Sequence, residues 1–277
     1  MLRPRSQDLL ARIHQHSQQW QLEIEESFET ETSAISFVNR QGESLVLKVI
    51  KKAGDDEWNA GEVLSRFAGR SVVRVYEHNA GAMLLERLRP GTSLSALDND
   101  EAATEILAGV LKHMSPAEAL HCCPSVADWG QGFARYLASA DQQIPRHLVE
   151  SAQSVFASLS ESQTSVRLLH GDFHHYNVLF DANRGWLAID PKGVIGELEY
   201  EVGAVLRNPI DRPEVFLEPQ SIVRRLRQFA TQLNLKFDRM VGWGFAQAVL
   251  SAIWQIEGEG KVSPACLRLA EIMQRLL

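Results

Sequence analysis

One stretch of this chain, residues 167–196, breaks the helical rhythm on either side of it. Helix-forming sequence precedes it at 101–113, 125–138 and 147–158, and follows it at 221–233, 241–256 and 265–276. Within it, the run from Leu168 to Leu179 sets His170, Asp172, His174, His175, Tyr176 and Asn177 in an apolar frame. Desolvating so many polar groups costs free energy unless each is hydrogen-bonded or put to use. The stretch is therefore expected to carry chemistry, and the rest of the chain to hold it.

The first ninety or so residues have a different character. A polar amphipathic helix is expected over 6–19, then three runs rich in β-formers at 22–28, 34–39 and 44–50. Arg40, Gln41 and Gly42 suit a tight hairpin between the last two. Residues 55–67 have helical spacing, which would put Glu57, Ala60, Gly61, Leu64 and Ala68 on one face and point Glu62 elsewhere. Strand-like runs at 72–77 and 82–85 flank the turn sequence 78–81. A small antiparallel sheet with one inserted helix follows, and then Pro90, Gly91, Thr92 and Ser93 suit a hinge and helix start. The expected class is α+β, with an N-terminal lobe over 1–88 and a mainly helical C-terminal lobe over 89–277. No internal repeat or low-complexity segment interrupts it.

Composition narrows the partners. With 45% apolar and 23% charged residues the chain lies outside the disordered range, and its net charge of −7 is a poor footprint for nucleic acid or an anionic membrane. A cationic or polar small molecule is the easier guest. No apolar run approaches the roughly 18 residues that span a bilayer, and residues 1–8 are polar where a signal peptide turns apolar, so a cytoplasmic protein is expected. Cys122, Cys123 and Cys266 form neither a disulfide framework nor a metal knuckle. No exposed apolar stripe stands out, and a monomer is expected.

Two chemistries fit the central run. His170, Asp172, His174 and His175 resemble a metallohydrolase ligand cluster, but the HxHxDH and HExxH patterns are absent. Alternatively, Asp172 and Asn177 lie five apart, and Asp190 ends the apolar run Trp186, Leu187, Ala188 and Ile189. That is phosphoryl-transfer spacing: an aspartate for the attacking hydroxyl, an asparagine and a second aspartate for Mg2+. Turn residues Asp181, Asn183 and Gly185 suit a hairpin that would bring Asn177 and Asp190 together.

His170-Gly171-Asp172-x-x-x-x-Asn177 followed by Ile189-Asp190-Pro191-Lys192-Gly193 resembles the aminoglycoside phosphotransferase family, in its streptomycin 6-kinase and hydroxyurea-resistance branch. The resemblance extends over most of residues 34–210. It implies a protein-kinase-like fold and an ATP- and Mg2+-dependent kinase of a small molecule. It further implies Asp172 as catalytic base, Asn177 and Asp190 as Mg2+ ligands, and Lys48 as the lysine that grips the phosphates. Glu57 is the expected partner of Lys48, with Glu62 the alternative. The backbone near Glu86 and Leu88 is expected at the adenine edge, and Lys192 within reach of phosphate. Glu201 would tie the loop or simply sit on a helix surface. The glycine-rich loop of protein kinases is missing; Glu29 to Ser33 stand in its place, where the N–H groups of Thr32 and Ser33 are candidates to contact phosphate while Glu29 and Glu31 argue against a tight cradle.

For the acceptor, His175 is expected as loop structure or substrate rim. Trp254 and Glu257, on one helix face, are candidates for a cationic guest beside Trp129, Asp211, Glu214 and Glu259. A protein kinase is disfavoured because the H-R-D, D-F-G and A-P-E set is absent. The alternatives are a kinase of another metabolite and a non-catalytic nucleotide sensor.

Overall fold

The computed structural model describes residues 6–51, 56–114 and 117–277. Its elements begin with α1 (Ser6–Gln19), β1 (Glu23–Glu29), β2 (Ser33–Arg40), β3 (Glu43–Ile50), α2 (Ala60–Phe67), β4 (Val75–Asn79), β5 (Ala82–Glu86) and β6 (Pro90–Ser93). Helices α3 (Asp100–Met114), α4 (Val126–Ala138) and α5 (Arg146–Glu161) follow. Next come β7 (Arg167–Leu169), β8 (Val178–Asp181), β9 (Gly185–Ala188) and β10 (Val194–Gly196). The chain closes with α6 (Leu198–Leu206), α7 (Pro213–Phe216), α8 (Pro219–Leu233), α9 (Phe237–Glu259) and α10 (Pro264–Gln274). Among the described residues no helix is long and apolar enough to cross a membrane.

The chain divides into two compact units, residues 1–92 with 179–193, and residues 93–178 with 194–277. The expected linear division at 88/89 placed 179–193 with the second unit. Strand pairing is the physical reason for the difference: β8 and β9 form a sheet in the order β6-β8-β9, and Ala188 bridges to Val72.

The first unit is built on an antiparallel sheet in the order β1-β2-β3-β5-β4. The hairpin between β2 and β3 turns at Gln41 and Gly42, both with positive φ. Val38, Leu45, Leu47, Val49 and Leu84 form one core with Ile13 and Trp20 of the first helix and its exit. The helix expected over 55–67 begins at Ala60; its expected start at Asp55 lies outside the described residues. Glu57 lies in a short 3-10 turn, because the Trp58 carbonyl accepts the N–H of Gly81 at 3.1 Å instead of a helical N–H.

In the second unit, α9 is buried almost continuously from Met240 to Ile253 and packs against α4, α5, α6, α8 and α10. A helix apolar on all sides is a core helix. Helix α6 shares that property, with eight of its nine residues buried, so no amphipathic period marked it in the sequence. A buried ion pair holds its C-terminal end: Arg225 of α8, fully buried, donates to the carbonyls of Val205 at 3.0 Å and Asn208 at 2.8 Å. Its guanidinium pairs with Asp100 at the start of α3, which Arg224 also contacts at 2.5 Å. Burial alone would raise the Asp100 carboxyl, but the hydrogen bonds and charges of Arg225 and Arg224 hold it below the usual carboxylate range.

Removing one partner of such a pair leaves an uncompensated charge. Asp100→Ala is expected to lower unfolding free energy by about 3 kcal/mol in a denaturant titration. In the wild type, this contribution is complete above the ordinary aspartate value of 3.8 and is lost as pH falls through the depressed native one. An Asp100→Ala protein as stable as wild type at neutral pH contradicts this account.

Candidate active site

Side chains alternate across a strand, so the residues that bury Leu45, Leu47 and Val49 in the sheet core turn Lys48 to the opposite face. Lys48 is 2% exposed, and its Nζ lies 2.7 Å from Glu57 Oε2 and 2.8 Å from Asp190 Oδ1. Burial works to lower the lysine pKa, but the carboxylates of Asp190 and Glu57 outweigh it and hold the ammonium above its ordinary range. Burial also raises Glu57, with Lys48 pulling against it and Asp190 adding to it. Glu62 is exposed and takes no part. Asp190 has φ 56°, a left-handed conformation that aspartate tolerates better than most side chains.

Around this triad several side chains are already committed. Lys192 Nζ lies 2.7 Å from Asp56 Oδ2. Glu86 accepts the N–H of Arg74 at 2.7 Å and pairs with Arg184, while its own N–H donates to the Arg74 carbonyl at 3.0 Å. The Glu86 N–H is therefore used within this unit, and the adenine-edge expectation for the backbone near Glu86 and Leu88 does not rest on it. Leu88, half-buried, lies just beyond β5. Of the two N–H groups considered for phosphate, that of Ser33 donates to Thr30 Oγ1 at 3.0 Å inside the turn from β1 to β2, so it is already committed.

In the second unit the loop after β7 carries Asp172 and Asn177. Glu201, 2% exposed on α6, reaches the start of that loop, where Oε2 accepts the N–H of His170 at 2.6 Å and Oε1 that of Gly171 at 2.8 Å. Burial pushes this carboxyl up to about 7, against the pull of the backbone N–H groups of Gly171, His170 and Phe173. The Glu201 tie is thus made, and the helix-surface alternative is excluded by burial. Gly171 has φ 81°, the turn that lets the N–H groups of His170 and Gly171 face one carboxylate. Asn177 Nδ2 donates to the Asp172 carbonyl at 2.9 Å, closing the loop across five residues. With Nδ2 so committed, the amide oxygen is the face Asn177 can offer a ligand.

The Asp172 carboxylate has neighbours that the sequence did not announce. Its Oδ1 lies 3.5 Å from His174 Nε2 and 3.7 Å from a guanidinium nitrogen of Arg207, the residue that ends α6. Arg207 follows the apolar run Ala204, Val205 and Leu206, 35 residues beyond Asp172, so its charged side chain at the end of a buried helix was the only signal. His175 is 1% exposed, which removes it from any substrate rim. Burial and the charge of Arg225 push its imidazole down to about 3, so it is neutral. Among the described residues no three His, Cys, Asp or Glu side chains gather to hold a metal ion, so the histidine cluster of the metallohydrolase reading does not form.

Of the acceptor candidates, Trp254 packs edge-on against Trp129 with ring centroids 5.6 Å apart, and Trp129 lies 6.1 Å from Tyr200. Glu257 is exposed and pairs with Arg135 at 3.2 Å, so its charge is already countered. Asp211 accepts the hydroxyl of Tyr176.

An antiparallel N-terminal sheet with a buried lysine on its third strand, and a helical C-terminal part carrying the Asp172 loop, define a protein-kinase-like fold. Solved structures share it: choline kinase LicA from Streptococcus pneumoniae superposes with a TM-score of 0.67 at 14% identity, over 96% of this chain and 98% of that one. Aminoglycoside phosphotransferase APH(4)-Ia gives 0.66 at 16% identity, over 96% and 98%. A streptomycin 3''-kinase of Klebsiella pneumoniae is 31% identical over 234 residues, 80% of this chain and 83% of that protein. A streptomycin 6-kinase of Streptomyces glaucescens is 29% identical over 219 residues, 76% and 71% of the respective chains. The model of the aminoglycoside/hydroxyurea antibiotic resistance kinases matches residues 19–258, and the chain belongs to that family. It is accordingly a phosphotransferase of the class that acts on a hydroxyl.

Glu201 generates a prediction. Glu201→Ala leaves the buried N–H of His170 without an acceptor, at about 1–3 kcal/mol, and the half-buried one of Gly171 at less, and is expected to lower the unfolding midpoint accordingly. Because its native pKa is raised to about 7, the stability that wild-type Glu201 contributes is complete below the ordinary value of 4.5 and falls as pH rises through 7. Glu201→Gln should flatten that slope while recovering part of the midpoint. A pH–stability profile identical in wild type and Glu201→Gln contradicts the assignment.

Proposed function

We propose that the protein transfers the γ-phosphoryl group of ATP to a hydroxyl of a streptomycin-type aminoglycoside, inactivating it. The observation that carries the reading is the buried Lys48 ammonium held between Glu57 and Asp190. An ammonium so oriented by carboxylates is suited to neutralise α- and β-phosphate oxygens. The nucleotide-bound neighbours of the same fold support ATP as donor: LicA with AMP, and APH(4)-Ia with ADP and hygromycin B. The streptomycin kinases among the relatives support the acceptor, and a hydroxyurea phosphotransferase of Kitasatospora aureofaciens, 28% identical over 83% of this chain, makes hydroxyurea the second acceptor to try.

In this reading Asp172 orients the attacking hydroxyl and accepts its proton as the new O–P bond forms and the bond from the γ-phosphorus to the β,γ-bridging oxygen breaks, releasing ADP. Asp190 and Asn177 supply carboxylate and amide oxygens, hard donors that suit Mg2+, and would hold it. When bound, Mg2+ neutralises charge on the phosphate oxygens. Leu88 is assigned to the adenine edge through its backbone. Transfer is direct, and catalysis comes mainly from positioning.

Incubation of the purified protein with Mg-ATP and a panel of streptomycin, other aminoglycosides and hydroxyurea, read by mass spectrometry, tests this. The expected product is streptomycin bearing one phosphoryl group, with turnover reduced at least about 100-fold in Asp172→Asn. Lys48→Met is expected to raise the KM for ATP as well as lower kcat. Phosphorylation of no panel member, with ATP still bound, overturns the acceptor; failure to bind ATP overturns the kinase reading.

A further inference from the structure

Arg207 is held on either side of its backbone and at one guanidinium nitrogen. The backbone around it is held by Arg225, which donates to the carbonyls of Val205 and Asn208 and is itself anchored by Asp100. Its Nη1 donates to Gln247 Oε1 at 3.2 Å. Gln247 is 4% exposed in the middle of α9 and is fixed in turn by donating its amide N–H to the Tyr200 carbonyl. Gln247 fits there because Gly203 of α6 has no side chain: a Cβ at that position would lie 2.6 Å from both amide atoms of Gln247. The free end of this chain of contacts, Nη2 of Arg207, lies 3.7 Å from Asp172 Oδ1.

A guanidinium needed only for packing would be satisfied by Gln247 and nearby carbonyls. This one instead faces the carboxylate oxygen that His174 Nε2 flanks at 3.5 Å. Two nitrogen groups beside one oxygen, at ion-pair rather than hydrogen-bond distance, favour one orientation of the carboxylate over its other rotamers. A misplacement of about 1 Å at a reacting group costs roughly 100-fold in rate.

We infer that Arg207 is a positioning residue for Asp172, clamped for that task by Gln247 in the notch left by Gly203. The inference rests on Asp172 being the residue that orients the hydroxyl. It goes beyond that reading by assigning a residue on a different element, and by giving α9 a part in setting the geometry of the loop.

The test combines kinetics with a structure. In Arg207→Met, kcat is expected to fall roughly 10- to 100-fold with the KM for ATP and acceptor little changed. Arg207→Lys should recover part of that loss, and millimolar guanidinium chloride, well below denaturing concentration, should partly restore Arg207→Ala. Gln247→Leu should lower kcat in the same direction but less. A crystal structure of Arg207→Met should show the Asp172 carboxylate turned away from its wild-type orientation, a readout that needs no known acceptor. An unmoved Asp172 carboxylate overturns the inference, as does a kcat unchanged in correctly folded Arg207→Met. A raised KM for ATP at unchanged kcat also overturns it, since Arg207 would then hold phosphate instead. Asp172→Asn run in parallel separates the two levels: full turnover in that variant overturns the role of Asp172 itself, whereas an inactive Asp172→Asn beside a fully active Arg207→Met overturns the role of Arg207 alone.

Discussion

A lysine ammonium with almost no access to water cannot be left without counter-charge, and the first unit is arranged around that requirement. Lys48 lies on the face of β3 opposite that core because the strand's alternate residues are needed for packing with α1. Glu57 comes from a turn ahead of α2, and Asp190 from the segment beyond β9, more than a hundred residues later in the chain. The pairing therefore links the sheet, the turn and the β8–β9 hairpin. It also keeps Lys48 charged against the desolvation that would otherwise favour its neutral form.

The second unit meets the same problem with the signs exchanged. Glu201 is a buried carboxylate with two backbone N–H groups as partners, and Asp100 is a carboxylate held between Arg224 and Arg225. The first ties the start of the Asp172 loop to α6, and the second ties the end of α6 to α3 and α8. Buried ionic groups of this kind contribute little net stability compared with apolar packing, but removing one partner is costly, so they hold one arrangement against others. Here the arrangement held is that of the residues next to Asp172.

Much of the sheet was legible in the sequence because period-two alternation and the Gln41 and Gly42 turn are local signals. The Asp172 to Asn177 spacing was legible because a loop that closes on itself, with Asn177 donating to the Asp172 carbonyl, needs a fixed number of residues. Glu57 was singled out by a helical face that it does not occupy, since the chain turns at Trp58 to satisfy Gly81. Helix α6 carried no period because nearly every side of it is buried. Of the two readings of His175, loop structure and substrate rim, enclosure leaves the first, and the Ser33 N–H, a candidate for phosphate, is given to Thr30, because neither burial nor turn hydrogen bonds are marked by residue type.

By itself the sequence determined the family, most of the N-terminal sheet and the long helices, and the polar groups of the central loop, because these follow from residue type and near-neighbour spacing. Tertiary structure alone decided which groups lie against Asp172 and Lys48. The contacts of Arg207 with Asp172, of Gln247 with Arg207 and of Asp190 with Lys48 join residues 35 or more positions apart. Whether such groups meet depends on how buried helices and strands pack, and local periodicity carries no record of that.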